Sequence, residues 1–442
     1  MGESKARQAR RWKQIGVFLS VGGLLDSKLQ PSKPLEWLSH APHPKELLNS
    51  LNLDEGQCAD IFPSLTRDIH DTVGLGPFDL KPVDELGPLQ VRLKNGQLYI
   101  INPKRTEPLP PEILDAQTAT LHQIHRAVIT SPTPLPDTIF AINVRDQAYG
   151  TAWSYSRPAF AAPSANMPPI TRAFLMPHFS FWAWPLPFIG SFARAAAAIR
   201  NIEADLPFSM KDPRAVWRGT TRFHGSHNPH LRQNLLDATK GAKWADVEAL
   251  RWEGAMKEGG SNDTAVNAMM IEDFCRYKYV LHTEGVTYSG RLQFLQTCNS
   301  VLLTPPLAWL QHTTHLIKPV FSYDLHSTAK EHKAWEPSSG VKNAWPIHYR
   351  PEQANTVFVA PDWSDLEDTI KWLEAHHDTA AGIARRQREM FIDRGYFGQG
   401  AEVCYWRALI RGWSKAVQID PRDWKGKEEM RWELFSLGHA TK

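Results

Sequence analysis

A chain of 442 residues, 42% of them hydrophobic, can bury a large core and form about two domains, which excludes a disordered chain or a small disulfide-stapled scaffold. Its 50 basic and 47 acidic residues leave a net charge of +3, so there is no general polyanion-binding surface; nucleic acid is not an expected partner, and any anion site must be local. The cysteines Cys58, Cys275, Cys298 and Cys404 contain no C-x-x-C pair, which argues against a zinc ribbon or thioredoxin-like centre and leaves either free thiols or two disulfides of open pairing.

Near the start, Lys5, Arg7, Arg10, Arg11 and Lys13 precede an apolar run over residues 15–25. The run resembles a short signal or anchor and gives an expectation of weak membrane association, but it falls short of the roughly 20 residues that span a bilayer; a surface helix with a basic flank fits equally well. The closing residues, HATK, carry no retention tetrapeptide. Residues 31–53 are Pro-punctuated and form a leader into the first domain. Ile61, Leu65, Ile69 and Val73 then mark the stripe of an amphipathic helix over residues 58–73, interrupted early by Pro63. Residues 91–101 predict a β-hairpin that turns at Asn95-Gly96. Residues 118–129 predict a helix whose His122 and His125 have no third metal ligand nearby and suit a core or solvated role.

Residues 138–146, TIFAINVRD, predict a short strand that delivers Asn143, Arg145 and Asp146 at its carboxyl end, the edge where open α/β sheets bind ligands. Asp146 is therefore a candidate general base, with Arg145 near enough to keep it ionised; a strand-end salt bridge is the plain alternative. Residues 158–170 form a Pro-, Ala- and Ser-rich loop. Over residues 174–187, prolines space Phe179, Phe181, Trp182 and Trp184 into either a rigid stacking wall or a plug for an interdomain cleft. A helix follows over residues 192–204. Residues 215–221 predict a strand opening into Arg218 and Gly219, and a guanidinium there suits bidentate phosphate recognition. Asn228 and Pro229 have the character of an N-cap and first helical residue, while Gly225 and Pro229 break the regular face that His224, His227 and His230 would need to hold a metal.

The most organised stretch is residues 277–303, a strand, a glycine-bearing loop, a helix and a second strand. Gly285 and Gly290 permit close backbone approach, Ser289 suits a cap for a helix carrying Leu292, Phe294 and Leu295, and Arg291 adds a cation beside the unpaired N–H groups of the helix start. A diphosphate is the ligand this pattern favours. Further on, residues 309–316 predict a helix, residues 327–343 a polar loop and residues 356–360 a buried strand. Ser364 and Glu367 suit a capping box, and helices follow over residues 380–391 and 401–417. The sequence has no G-x-G-x-x-G, Walker A, H-E-x-x-H or G-x-S-x-G motif, which disfavours the common dinucleotide, NTPase, zincin and hydrolase readings. It also lacks D-x-D, which disfavours a transferase that holds its sugar nucleotide through a divalent ion.

As a set, INVRD (142–146), FSFW (179–182), WRG (217–219), YKY (277–279) and EGVTYSGR (284–291) resemble glycosyltransferase family 90, in order and spacing over residues 58–413. That family includes the protein O-glucosyltransferases and O-xylosyltransferases of animals and the capsule-associated xylosyltransferases of fungi. The resemblance implies an α/β GT-B fold of two Rossmann-like lobes with the active site between them, residues 46–195 and 395–442 forming the acceptor side and residues 196–394 the sugar-nucleotide side, after a leader over residues 1–45. It implies inverting transfer of glucose or xylose from a UDP-sugar to a hydroxyl of a protein or glycan, with no bound cofactor and no required divalent metal.

By position Asp146 matches the family's base. Arg218 with Gly285, Val286, Thr287, Tyr288, Ser289, Gly290 and Arg291 matches the UDP-sugar contacts, and Phe181 and Trp182 match an acceptor-facing wall. The resemblance further implies disulfides Cys275–Cys298 and Cys58–Cys404 and a place in the secretory pathway, in the lumen of the endoplasmic reticulum or Golgi. Ala183 and the Gln147-Ala148-Tyr149 run depart from the animal glucosyltransferases and leave the acceptor open, the Pro-rich and polar insertions being closer to the fungal branch. A non-catalytic sugar- or nucleotide-binding protein that retains the fold is the alternative.

Overall fold

The computed structural model describes residues 44–83, 87–104, 109–148, 150–159, 172–222, 225, 228–253, 264–325 and 335–438. The basic and apolar N-terminal run, most of the 158–170 loop, His224, His227 and most of the first half of the 327–343 loop lie outside them.

Residues 58–73 form two helices rather than one interrupted helix. Helix α1 (Glu55–Ile61) and α2 (Arg67–Val73) are separated by Pro63, which cannot donate to the helical ladder, and by Ser64 at positive φ. Asp54 and Gln57 close a capping box at the start of α1. Strands β1 (Leu89–Lys94) and β2 (Gln97–Ile101) make the expected hairpin, with Asn95 and Gly96 both at positive φ. Helix α3 (Pro111–Ile129) begins earlier than its apolar pattern predicts, at a proline suited to the first turn. Strand β3 (Thr138–Asn143), buried at every position, lies between β1 and β4 (Trp153–Ser154).

Next come helix α4 (Phe192–Asp205) and strand β5 (Asp212–Gly219), then helix α5 (Leu231–Ala238) and strand β6 (Ala245–Ala249). Strand β7 (Tyr277–Leu281), the one-turn helix α6 (Leu292–Leu295) and β8 (Val301–Thr304) realise the organised stretch, followed by β9 (Pro319–Phe321) and β10 (Thr356–Phe358). Residues 309–316 are not helical. Trp309–Leu310 pairs antiparallel with Arg157–Pro158, and Thr314 Oγ1 accepts from the Gln311 N–H to start only a 3-10 turn. Helices α7 (Leu366–Ala375), α8 (His377–Arg388) and α9 (Gln399–Ala416) precede the final strand β11 (Glu429–Arg431). The caps expected at Ser364 and Asn228 do not form. Ser364 bonds Asp362 instead of capping α7, and Asn228 donates to the Pro361 carbonyl while α5 starts after His230.

The strands form a five-stranded mixed sheet, in the order β11-β2-β1-β3-β4, and a six-stranded parallel sheet, in the order β9-β10-β8-β7-β5-β6. The second sheet is parallel throughout, as expected of a Rossmann-like lobe; the first has antiparallel ladders except between β3 and β4. One face of the parallel sheet buries Ala215, Trp217, Tyr279, Leu281, Val301 and Leu303 under apolar residues of α5, α7 and α8. Helix α9 returns to the first sheet's helices, packing on α1, α2 and α3. Its Trp413 indole donates to the Ile139 carbonyl, and Arg407 bonds the carbonyls of Leu51, Leu53 and Ala127. Both disulfides form, Cys58–Cys404 joining α1 to α9 and Cys275–Cys298 bracketing β7 and α6. Among the described residues no helix is long and apolar enough to cross a membrane.

Candidate active site

The parallel sheet has one topological switch point. From β5 the chain steps to the edge strand β6, then returns to the other side of β5 as β7, so the connections diverge above the carboxyl ends of β5 and β7. Ligands of open α/β sheets bind in the crevice made there. Two guanidiniums stitch it together. Arg232, on α5, donates to the carbonyls of Thr220 and Glu284, one beyond each strand; Arg291 donates to the carbonyl of Arg218. The Trp217 indole donates to Thr283 Oγ1 across the same gap at 3.1 Å.

Neither Arg232 nor Arg291 forms an ion pair among the described residues. Burial pushes the Arg291 guanidinium down to about 9, with repulsion from Arg232 adding to the shift. Burial likewise pushes Arg232 down to about 10, against the attraction of Asp146. Buried cations that lack carboxylates are costly unless an anion completes them.

Asp146 comes from the other sheet. Beyond β3, Asn143 shapes the turn: its Oδ1 accepts from the Arg145 N–H at 3.2 Å and its Nδ2 donates to the Gln147 carbonyl at 2.6 Å. Thr287 Oγ1 donates to the Asp146 carbonyl at 2.8 Å and ties this turn to the 285–291 loop. Asp146, like Arg145, is exposed as a residue, yet the protein beside its carboxyl raises the pKa above the ordinary carboxylate value, with Arg232 opposing the rise. The cation that acts on Asp146 is therefore Arg232; Arg145, expected in that role, is exposed and belongs to the turn. Burial is also the main reason that Tyr155 and Tyr288 hold their phenolic protons firmly, and the Asp146 charge adds to it.

The 284–291 loop is compact. The Gly285 N–H donates to the carbonyls of Thr287 and Tyr288, and the Val286 carbonyl lies close to Gly225, where an added Cβ would stand 3.0 Å from it. Gly290 packs against the His178 ring so closely that a Cβ would stand 2.8 Å from it. Ser289 does not cap a long helix: α6 has four residues with no side-chain cap, and Ser289 Oγ only accepts from the Arg291 N–H at 3.5 Å. The helix start expected here is therefore a single turn, and its expected side-chain cap is absent.

Arg218 enters the site through its carbonyl rather than its guanidinium. Residues alternate across a strand, so with Trp217 in the core Arg218 faces the other way, where it pairs with Asp246 at 2.6 Å. Phe181 and Trp182 sit apart from Tyr288. Phe181 packs on Phe192, His312 and Phe397; Trp182, 38% exposed, stacks on His122 with Arg126 over its ring. The aromatics that meet Tyr288 are Tyr155 and His178, backed by Phe179 and Trp184.

A cavity of about 160 Å³ lies beside the crevice, lined by Glu284, Asn228, Thr304, Trp335 and Pro361. Burial pushes the Glu284 carboxyl up to about 8, although it accepts from the N–H groups of Ala308 and Trp309. Among the described residues no three His, Cys, Asp or Glu side chains gather to hold a metal ion.

These features define an α/β protein with a crevice at the switch point of its parallel sheet, lined by Arg232 and Arg291, and with a carboxylate delivered from a second sheet. Residues 55–330 match Glycosyl transferase family 90, and the chain belongs to that family. It is similar to protein O-glucosyltransferase 1 of Homo sapiens, 24% identical over 306 residues, 67% of this chain and 67% of that protein. It is also similar to O-glucosyltransferase rumi of Drosophila melanogaster, 24% identical over 65% of this chain and 63% of that protein, and to the rumi homologue of Aedes aegypti, 26% identical over 52% and 48%.

Proposed function

We propose that the chain is an inverting glycosyltransferase that moves a sugar from a UDP-sugar to a hydroxyl of a protein or glycan. Glucose is the sugar named in its relatives, and xylose is the other donor within the reading. The observation that carries the proposal is the pair of guanidiniums at the switch point, buried Arg232 and half-buried Arg291, which form no ion pair among the described residues, with the Asp146 charge acting on Arg232. The two sheets then act as the halves of a GT-B-type enzyme, residues 196–394 holding the donor and residues 46–195 with 395–442 the acceptor. In this reading no metal is required, since the arginines neutralise the diphosphate.

Asp146 accepts the proton of the acceptor hydroxyl as its oxygen attacks the anomeric carbon. The bond to the diphosphate oxygen breaks on the opposite face, and the charge left on UDP is taken up by Arg232 and Arg291. The paired disulfides suit an oxidising lumen, and the secretory pathway is the proposed location. A panel of UDP-sugars scored for slow hydrolysis tests the donor without knowledge of the acceptor. Release of UDP from UDP-glucose or UDP-xylose is expected; tight UDP binding with no turnover of any sugar nucleotide, acceptors included, would instead fit a binding protein.

A further inference from the structure

His282, immediately after β7, is 2% exposed, and its Nε2 has no hydrogen-bond partner among the described residues. Its backbone N–H donates to the Leu303 carbonyl, which places the residue at the carboxyl end of the sheet. A buried ring nitrogen left unpaired is unfavourable unless something in the functional state completes it. The charges that act on the ring are Arg291 and Arg232, the two guanidiniums of the crevice; with burial the larger cause, they hold its pKa down to about 3. A second cation beside them is thus avoided, yet a neutral imidazole still offers one N–H. The partner that suits an N–H on which two guanidinium charges act is an anionic oxygen.

We propose that His282 is a further ligand-binding residue, donating its Nε2–H to a non-bridging oxygen of the donor's diphosphate. This rests on the donor reading above. His282 thereby supplies a directional contact that adds no charge to a site whose cations already repel each other.

Calorimetry on the full chain with UDP and with uridine tests it. His282→Leu is expected to weaken UDP about tenfold or more while leaving uridine unchanged, and His282→Gln, which restores a donor, to recover part of the loss. Equal UDP affinity in His282→Leu, or a parallel loss of UDP and uridine, overturns the assignment. Failure of the wild-type chain to bind UDP overturns the donor reading first, and this assignment with it. Should His282→Leu not fold, nitrogen NMR of the wild-type imidazole decides: saturating UDP is expected to shift the Nε2 resonance and slow exchange of its proton, and an unmoved resonance contradicts the proposal.

Discussion

At Asp146 two effects compete: crowding by protein raises the carboxyl's proton affinity, and Arg232 lowers it. A base must be ionised to act, so the raised pKa predicts that transfer is lost as pH falls through a value above the usual carboxylate range of about 4. Arg232→Gln removes the opposing charge and is expected to move this acid limb of kcat/KM to higher pH; a pH–rate profile with an unchanged or lower midpoint would disconnect Arg232 from Asp146. Gly290 belongs to the same scale. An alanine Cβ meets the buried His178 ring at 2.8 Å, so Gly290→Ala is predicted to cost about 1–3 kcal/mol in denaturant unfolding and to weaken UDP binding, because the ring and the loop share one contact.

Among the elements, the strands of the parallel sheet were legible because β-prone runs such as residues 277–281 and 301–304 are apolar at nearly every position, as strands buried on both faces must be. Asp146 was legible for the related reason that a buried strand ends just before it. Arg232 was not. It lies on a short helix whose sequence is that of any amphipathic surface helix, and only the adjacency of β5 and β7 gives its guanidinium two carbonyls to bridge. The capping signals at Ser289 and Ser364 misled because each hydroxyl or its neighbourhood found a local turn partner instead, a competition that local sequence does not decide. Elements distant in sequence are held by covalent means as well: Cys58–Cys404 spans 346 residues and fixes α9 to α1. Replacing both cysteines by alanine is predicted to lower stability by about 2–5 kcal/mol in chemical unfolding of the oxidised protein, whereas a loss below about 0.5 kcal/mol would show that packing of α9 alone sets the closure.

At the scale of the whole molecule, the Thr287–Asp146 hydrogen bond links the turn after β3 of the mixed sheet to the 284–291 loop, which carries Arg291 on the parallel-sheet side. Binding of an anion there should stabilise the native chain by linkage. UDP at a hundred times its Kd is expected to add about 2.7 kcal/mol and raise Tm accordingly, with the shift much reduced in Arg291→Met. In the proposed reaction Asp146 performs the chemistry while the arginines bind. Asp146→Asn tests it most directly, measured as sugar transfer or UDP release beside UDP affinity in the same preparation. UDP binding close to wild type is expected, with turnover reduced by about 10²–10⁴-fold; turnover within a few-fold of wild type would remove Asp146 from the role of base.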